Sequence, residues 1–539
     1  MHTMTDGSGV AEARQGGRWR FYRAVWRWHF YAGLLVLPFI IWLAVTGAAF
    51  LYQGAIDRSV HHDLKVVPVG DTRMPAQQLV AAAQQRYGGS LFVYTTPKRA
   101  DASAEIGLVD AHGARRVVYV DPYRARVLGA LPEHGTLSWT IRRLHSLALV
   151  GPYARGLIEM AGGWAIVLVL TGVYLWWPRG RRGGVISVRG KPKQRLFWRD
   201  LHAVTGAGVG AILLLLALTG MPWSWLWGAQ VNRWANGHDF GYPAGLRVQQ
   251  PMSQQRLADS GEPAWSLRQA RLPESVVPAR LAEGGGAPLH GEHANGLQVG
   301  NEHSGHTART ARTVAPGHAD HEEHEEHEEH EEHIAQSEQS AQHAHSADSA
   351  HAAHGDAGGV AGPGRGAIGL DAAIARFDAR GILPGYSVAP PRGATGVYTA
   401  TVYPADLQRQ RVIHLDQYSG TVLLDMRYRD YGPLAKLLEW GINVHLGQQY
   451  GTANQLILLF ACLAIVLLCV SAAVMWWKRR PSGGLGVPPL PADPRTLRGL
   501  LVLLVLCGLI FPLVGLSFVL MWVLDRYWMQ RTQADAAAG

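Results

Sequence analysis

Charged residues are scarce in this chain of 539 residues: only 17% are Asp, Glu, Lys or Arg, whereas 48% are hydrophobic. A soluble chain of this length carries about a quarter charged residues. The deficit, together with 19 Trp and 63 Gly, argues against an ordinary cytosolic enzyme. It favours a membrane protein to which soluble parts are attached.

Cysteine is nearly absent as well. Cys462, Cys469 and Cys507 all lie in apolar runs, where we interpret them as small core residues. The chain has no C-x-x-C pair and no C-x-x-C-H motif, which excludes zinc ribbons, thioredoxin-like chemistry and covalent attachment of a c-type haem. No soluble segment carries a basic stripe, so nucleic acid is not an expected partner.

Long apolar runs are what the chain does contain. Five of them reach the roughly 20 residues that a bilayer-spanning helix needs. The segment 178–199 holds eight Lys and Arg and no acid, and three basic residues follow the fourth run at 478–480. By the positive-inside rule, these loops and the N-terminus are cytoplasmic. We therefore expect a multi-pass protein whose first span is an uncleaved anchor and whose soluble segments lie outside, with the lipid bilayer as its main partner.

The predicted organisation divides the chain into thirteen segments. These are 1–29, the cytoplasmic N-terminus; 30–52, span one; 53–144, a first outer module; 145–177, an interfacial segment and span two; 178–200, a basic cytoplasmic loop; 201–223, span three; 224–289, an outer segment; 290–354, an insertion; 355–444, a second outer module; 445–477, an interfacial segment and span four; 478–499, a cytoplasmic loop; 500–524, span five; and 525–539, a tail.

The spans repeat internally. In span one His29 precedes Thr46-Gly47 by 17 and 18 residues, and in span three His202 precedes Thr219-Gly220 by the same numbers. His145 lies 31 and 32 residues before a Trp pair in the first half, and His445 does so in the second. The chain is therefore two parallel copies of one unit, helix, outer module and helix, and span five stands outside the duplication.

The outer modules repeat too. The stretch 116–123 resembles 411–418, and each is preceded by a segment of helical composition, at 75–87 and 369–379. Alternating residues in 116–128 and 410–426 predict strands that turn near Asp121-Pro122 in the first module. The fold class we predict is thus a membrane-embedded helical bundle of five spans with two small α+β modules outside the membrane.

Four histidines at equivalent positions of a duplicated membrane unit suggest a function, because an ionisable residue at a span is costly. His29 and His202 fall at the inner ends of their spans, and His145 and His445 fall just outside the outer ends. Two levels of paired imidazoles are the geometry for two b-type haems, each with two axial histidines. The alternative is that the histidines are interface or structural residues.

Other residues near these histidines have more than one interpretation. Gly33 and Gly206, one turn beyond their histidines, either admit a flat macrocycle or allow close helix packing. The cations Arg142, Arg143 and Arg155 either pair with haem propionates or orient the protein in the membrane and face lipid phosphates.

The chain resembles the PepSY-associated transmembrane family, which includes iron-regulated inner-membrane proteins and ferric-siderophore reductases. The resemblance is carried by 198–206, by 144–151, by 171–179 and by 118–122. It covers nearly everything except the insertion and span five. In the second copy Ser471-Ala472 stands where the first has Thr171-Gly172.

The resemblance implies a bacterial inner membrane, PepSY modules in the periplasm and, as in studied reductases, bound haem b. His29, His145, His202 and His445 would then be the haem ligands. A ferric chelate would be the electron acceptor, and a membrane quinol or a separate reductase would be the donor. Family membership does not fix the substrate, since one fold hosts many functions.

The insertion is rich in histidine. Residues 290–354 hold 14 of the 25 histidines, in a composition that cannot bury a core. Imidazoles and carboxylates suit zinc, nickel, copper(II) or iron, so loose binding of a divalent metal is one interpretation. A tolerated low-complexity expansion is the other. The core of the tract places histidine at every third position, at His321, His324, His327, His330 and His333.

Three functions remain open from the sequence. The first is a transmembrane haem oxidoreductase that reduces an acceptor such as a ferric siderophore. The second is a metal-binding or transport-accessory protein that uses the histidine-rich loop. The third is a non-catalytic PepSY regulatory protein. The symmetry of the four histidines favours the first over the third.

Overall fold

The computed structural model describes residues 7–178, 184–237, 251–282, 367–480, 502 and 504–538. The chain divides into two units, one made of residues 1–276 and 360–539 and the other of residues 277–359. Of the second unit the structure describes 277–282, with one short helix at Ala279–Ala282. The histidine-rich tract, with its predicted metal ligands His321 to His333, lies outside the described residues.

Twelve α-helices of the first unit have defined bounds within its described residues, besides the helical residues 504–510 and short 3-10 turns. In chain order they are α1 Gly7–Phe50, α2 Gln53–Val60, α3 His62–Lys65, α4 Ala76–Tyr87, α5 Leu137–His145, α6 Ala154–Trp176, α7 Arg195–Gly220, α8 Leu226–Gly237, α9 Leu370–Ala379, α10 Pro433–His445, α11 Gly451–Trp477 and α12 Pro512–Ala538.

Four of these helices are long and apolar enough to cross a membrane. Their apolar parts are Phe21–Phe50 in α1, Ala154–Trp176 in α6, Arg195–Trp223 in α7 and its following turn, and Gly451–Trp477 in α11. They match the first four predicted spans, although the first helix begins well before residue 30. α1 and α7 each pack against both α6 and α11, so α1 and α7 lie on opposite sides of the bundle.

The fifth predicted span is not confirmed. Its helix α12 starts at Pro512, and the apolar part ends at Leu524, which is shorter than a bilayer-spanning helix. Helical residues 504–510 precede a bend at Phe511, where Pro512 lacks the N–H that would continue the helix. The segment packs on α6, where Trp164 Nε1 donates a hydrogen bond to Ser517 Oγ at 2.8 Å. Span five therefore stays a prediction.

The two outer modules share one sheet. Each has the predicted helix followed by four strands. The strands are β1 Ser90–Thr95, β2 Ala104–Val109, β3 Arg115–Val120 and β4 Val127–Pro132 in the first module, and β7 Ser387–Ala389, β8 Val397–Val402, β9 Arg411–Asp416 and β10 Val422–Arg427 in the second. All eight join in a single sheet of order β10-β9-β8-β7-β1-β2-β3-β4. A separate hairpin pairs β5 Met252–Arg256 with β6 Arg271–Pro273.

The seam between the modules is the antiparallel pairing of β1 with β7. At this seam Thr95 Oγ1 lies 2.8 Å from Ser387 Oγ. Joining the modules gives β1 and β7 a pairing partner each, because a separate four-stranded module would leave both as open edges. The sequence-based expectation of two separate modules is corrected in this respect.

One core serves both modules. Leu79 of α4 and Phe377 of α9 are buried against the same face of the sheet, together with Ile106 and Ile413 from its two halves. Side chains from alternate positions of the strands fill this layer, because successive side chains of a strand point to opposite faces. The two helices therefore pack on one continuous layer of the sheet.

The repeated turn after β3 and β9 is the same in both halves. Asp121 Oδ1 accepts a hydrogen bond from the Tyr123 N–H, and Asp416 Oδ1 accepts one from the Tyr418 N–H, both at 2.9 Å. A carboxylate that bonds the backbone two residues on replaces one backbone partner in a tight turn. The duplication read from the sequence is thus confirmed in the turn geometry.

His414 on β9 is a buried histidine in this sheet. Its Nδ1 lies 2.9 Å from Thr399 Oγ1, and burial lowers its pKa from 6.5 to about 3. Unfolding exposes the ring and restores its ordinary pKa, so between pH 6.5 and pH 3 the unfolded chain binds the extra proton. This group therefore adds stability above pH 6.5 that is lost as the pH falls towards 3.

We expect His414→Asn, which keeps a nitrogen near the Nδ1 position, to reduce the acid sensitivity of the fold. For one buried histidine, lowering the pH from 7.5 to 5 costs about 2 kcal/mol of unfolding free energy. The measurement is the unfolding transition of the full chain in detergent at both pH values. The matched control is His112→Asn, at an exposed position, which should keep the wild-type difference. If His414→Asn lost as much unfolding free energy between pH 7.5 and pH 5 as the wild type, burial of His414 would not be a source of the acid sensitivity.

Candidate functional site

The structure brings the four predicted histidines together in the two pairs that the repeat suggests. His29 of α1 lies within electrostatic range of His202 of α7, and His145 of α5 lies within that range of His445 of α10. The pair of His145 and His445 lies next to the sheet, because α5 directly follows β4 and α10 directly follows β10. We call these the far pair and the sheet-side pair.

The two pairs lie at different levels of the bundle. The residue that holds His145 is Thr46 on α1, and Thr46 lies 17 residues beyond His29 on the same helix. At a rise of about 1.5 Å per residue, the two levels are roughly 26 Å apart. This separation is close to the thickness of the hydrocarbon core, about 30 Å.

The rings of three histidines are held by a threonine on a neighbouring helix. His29 Nδ1 lies 2.8 Å from Thr171 Oγ1, and the Nδ1 atoms of His145 and His445 lie 2.9 Å from Thr46 Oγ1 and Thr219 Oγ1. Each threonine hydroxyl also donates to the carbonyl four residues earlier on its own helix, at 2.6–2.7 Å. Since that proton is used, the threonine oxygen is left to accept from the histidine.

The fourth histidine is held by a variation of the same arrangement. His202 Nδ1 lies 3.0 Å from the Leu468 carbonyl oxygen and 3.4 Å from Ser471 Oγ. A carbonyl can only accept, so Nδ1 carries the proton here too. The serine that replaces threonine in the second copy thus lies at the equivalent place.

Fixing the proton on Nδ1 has a chemical consequence. A neutral imidazole that donates through Nδ1 keeps the lone pair on Nε2, which is the form that binds a metal. Ligating histidines usually have their other ring nitrogen engaged in this way, because the bond orients the ring and raises its basicity. Each of the four histidines is half-buried as a whole residue.

The glycine after each threonine lies against the ring. A Cβ at Gly47 would lie 3.3 Å from His145 Cε1, which is a tight contact, whereas one at Gly172 would lie 3.4 Å from His29 Cε1 and one at Gly220 would lie 3.5 Å from His445 Cε1. Both residues of each Thr-Gly pair therefore contact a histidine ring, and the threonine is the one that bonds it. The sequence showed these pairs but not their partners.

The glycines one turn beyond His29 and His202 lie next to leucines of neighbouring helices. A Cβ at Gly33 would lie 4.0 Å from Leu168 Cδ2, and one at Gly206 would lie 3.4 Å from Leu468 Cδ1. Both interpretations of these glycines, helix packing and room for a macrocycle, stay predictions.

Local hydrogen bonds position the helix α5, which carries His145. Asp57 of α2 accepts from the Ser138 N–H and the Ser138 hydroxyl, and His61 Nε2 accepts from the Leu137 N–H, so the first turn of α5 is capped. At the other end, Trp42 of α1 donates to the Leu144 carbonyl at 2.7 Å.

The helix α10, which carries His445, is positioned by a different set of contacts. Glu439 accepts from the N–H and the hydroxyl of Ser266 at 2.8 and 2.7 Å. Burial raises the pKa of Glu439, and the two hydrogen bonds from Ser266 oppose this shift. Gly441 allows α10 to approach α7, because a Cβ there would lie 2.7 Å from Thr219 Cγ2.

Two of the three predicted arginines lie in a cluster beside the sheet-side pair. The guanidinium of Arg142 lies over the rings of Trp139 and Trp223, at 4.4 and 5.5 Å, and Arg155 donates to the Trp223 carbonyl at 3.3 Å. Arg268, which the sequence did not single out, lies over Trp223 at 5.6 Å. We call these five residues the arginine–tryptophan cluster. Arg143 is exposed, about 100° around α5 from Arg142.

The donor set suits an axial pair rather than a metal cage. Within the described parts of the chain, no three His, Cys, Asp or Glu side chains converge to hold a metal ion by themselves. Each level supplies two imidazoles, which is the number that a six-coordinate haem iron takes from the protein. In number and kind of donor, the residues present would therefore suit two haems.

Comparison with known families agrees with the architecture. The family model for the PepSY-associated transmembrane region matches residues 26–479, so the chain belongs to this family. The match includes the four spans and all four histidines and ends before the fifth apolar segment. No curated protein matches the chain significantly.

We expect Thr219→Val to destabilise the protein more than Thr219→Ser. Valine keeps the methyl that contacts Gly441 but removes the acceptor for His445 Nδ1. The N–H of this half-buried histidine is then unpaired, at a cost near the lower end of the range of about 1–3 kcal/mol for a buried group. Serine keeps the hydroxyl and loses the methyl. The measurement is the unfolding transition of both variants in detergent. Greater destabilisation by serine would show that the methyl contact, and not the hydrogen bond, dominates.

Proposed function

We propose that this member of the PepSY-associated transmembrane family is a two-haem electron carrier. It would pass electrons across the inner membrane of a bacterium to an acceptor on the periplasmic side. The observation that supports this most is the common state of the four histidines, which are paired, bonded through Nδ1 and left with the lone pair on Nε2. A b-type haem, when bound, supplies reversible one-electron transfer.

The protein's own contribution would be position and access. The threonine and serine partners fix the orientation of the four rings, so the ligands would be pre-organised before any cofactor binds. The roughly 26 Å between the two levels supports transfer across the membrane instead of along one face. A structural role for the histidines does not by itself require the same Nδ1 bond at all four places.

The arginine–tryptophan cluster would assist the sheet-side level. Arg142 lies one turn before His145, and Trp223, to which Arg155 is bonded, follows Thr219 by four residues. Arginine suits carboxylates because its N–H groups match their geometry. Arg155 is therefore proposed to pair with a haem propionate. Arg142, the second candidate, lies on the exposed side beside Glu262, and Arg143 lies outside the cluster.

The donor is proposed to be a membrane quinol or a separate reductase, and the acceptor a ferric chelate such as a ferric siderophore. The metal-handling alternative depends on residues 290–354, which lie outside the described residues, and it stays a prediction. The regulatory alternative assigns no role to the paired histidines.

We expect the purified full chain to show a reduced b-type spectrum with about two haems per chain, measured as a dithionite-reduced minus oxidised spectrum with haem quantified. Paired substitutions test which histidines share a haem. The same-pair variant His145→Ala/His445→Ala should keep one haem per chain. The cross-pair variant His145→Ala/His202→Ala should keep none, because each level would lose a ligand.

The control for these substitutions is His414→Asn, which changes a buried histidine of the sheet and should leave the haem content unchanged. Equal haem loss in the same-pair and cross-pair variants would contradict the pairing. A colourless wild-type protein, expressed with ample haem supply, would contradict the whole proposal.

A further inference from the structure

The arginine–tryptophan cluster holds two guanidinium groups besides that of Arg155, those of Arg142 and Arg268. Arg155 lies within electrostatic range of Arg142, of Arg268 and of Glu159. Glu159 is already bonded to the Leu226 and Trp227 N–H groups, at 2.6 and 3.1 Å, where it caps α8. Three guanidinium groups are thus gathered with few carboxylates to neutralise them.

Glu262 is the carboxylate that reaches the exposed side of the cluster. It lies 3.4 Å from Arg142 Nη1 and 3.3 Å from His134 Nε2, and the His134 ring packs on Trp139 with centroids 3.9 Å apart. Partial burial lowers the pKa of Arg268, the charge of Glu262 raises it, and the like charge of Arg142 lowers it again. Glu262 is therefore the nearest counter-ion for two arginines.

The contacts of Glu262 are weak ones. Its side chain is 54% exposed, that of Arg142 is 38% exposed, and both contacts are long for charged hydrogen bonds. An exposed ion pair of this kind contributes about 0–1 kcal/mol. A ligand that offers its own carboxylates can therefore replace Glu262 at little cost.

Both arginines are placed to reach such a ligand. Arg142 and Arg268 lie over the same Trp223 ring, at 5.5 and 5.6 Å, and both reach solvent. With carboxylates of the described residues, Arg142 forms an ion pair only with Glu262, and Arg268 forms none. A guanidinium binds a carboxylate through two parallel bonds, so the two side chains offer two such donors close together.

We propose that Arg268 and Arg142 form the docking site for the electron acceptor, and that the acceptor is an anionic metal chelate bearing carboxylate groups. Glu262 holds the site in the free protein and is displaced when the chelate binds. The description of this ligand as an electron acceptor rests on the proposed function. The site lies one helical turn, about 5 Å, from His145 along α5, which is close enough for transfer from that level.

The test uses a chelate that cannot be reduced, so that binding is measured separately from electron transfer. Gallium(III) citrate is titrated into the haem-loaded full chain in detergent by calorimetry at low and at moderate salt. We expect Arg268→Gln to weaken binding about tenfold, the effect of losing roughly 1.4 kcal/mol from a charged hydrogen bond. We expect Glu262→Gln to tighten it, because the competing carboxylate is gone, and a gain in affinity cannot come from misfolding.

The matched control is Arg86→Gln, which removes an exposed arginine from α4 and should leave the affinity unchanged. Binding to the haem-free protein alone would show that the cluster serves propionates only and would overturn the proposal. Equal losses in Arg268→Gln and Arg86→Gln would also overturn it, because they would show a general charge effect. The visible spectrum shows whether haem is bound and does not depend on the chelate. A failure of the proposed function is therefore distinguished from a failure of this inference.

Discussion

The hydrogen bond that each of the four histidines donates through Nδ1 to a neighbouring helix is the interaction on which the candidate site depends. It sets the tautomer, and the tautomer decides whether Nε2 can bind a metal. It also ties helices together, because His29 reaches α6 and His202 reaches α11. A single kind of contact thus serves both the packing of the bundle and the chemistry proposed for it.

The sheet explains why the sheet-side pair is possible. His145 and His445 do not lie on spanning helices but at the ends of α5 and α10, which the chain reaches from β4 and β10. These are the two edge strands of the eight-stranded sheet. Because the modules are fused through β1 and β7, the two edges have a fixed relation to each other. The fused sheet therefore helps to hold the two histidine-bearing helices at opposite sides of one level.

Much of the fold follows from local patterns in the sequence. The four confirmed spans are continuous apolar runs, and the helix–strand order of each module follows from composition and alternation over a few residues. The duplication puts His29 and His202 at equivalent positions of the two copies, and likewise His145 and His445. Pro512 is the local signal that the fifth apolar run is not one uninterrupted helix, because the chain bends just before it, at Phe511.

What the sequence determined by itself was the set of parts: apolar helices, repeated histidines and the Thr-Gly pairs that recur with them. The tertiary structure decided which part meets which. The bond between Thr219 and His445 joins residues 226 positions apart, and the contact between His202 and Leu468 spans 266. The two halves of the arginine–tryptophan cluster are likewise far apart in the chain. Local patterns carry no information on such pairs, because they arise only when helices from both copies pack side by side.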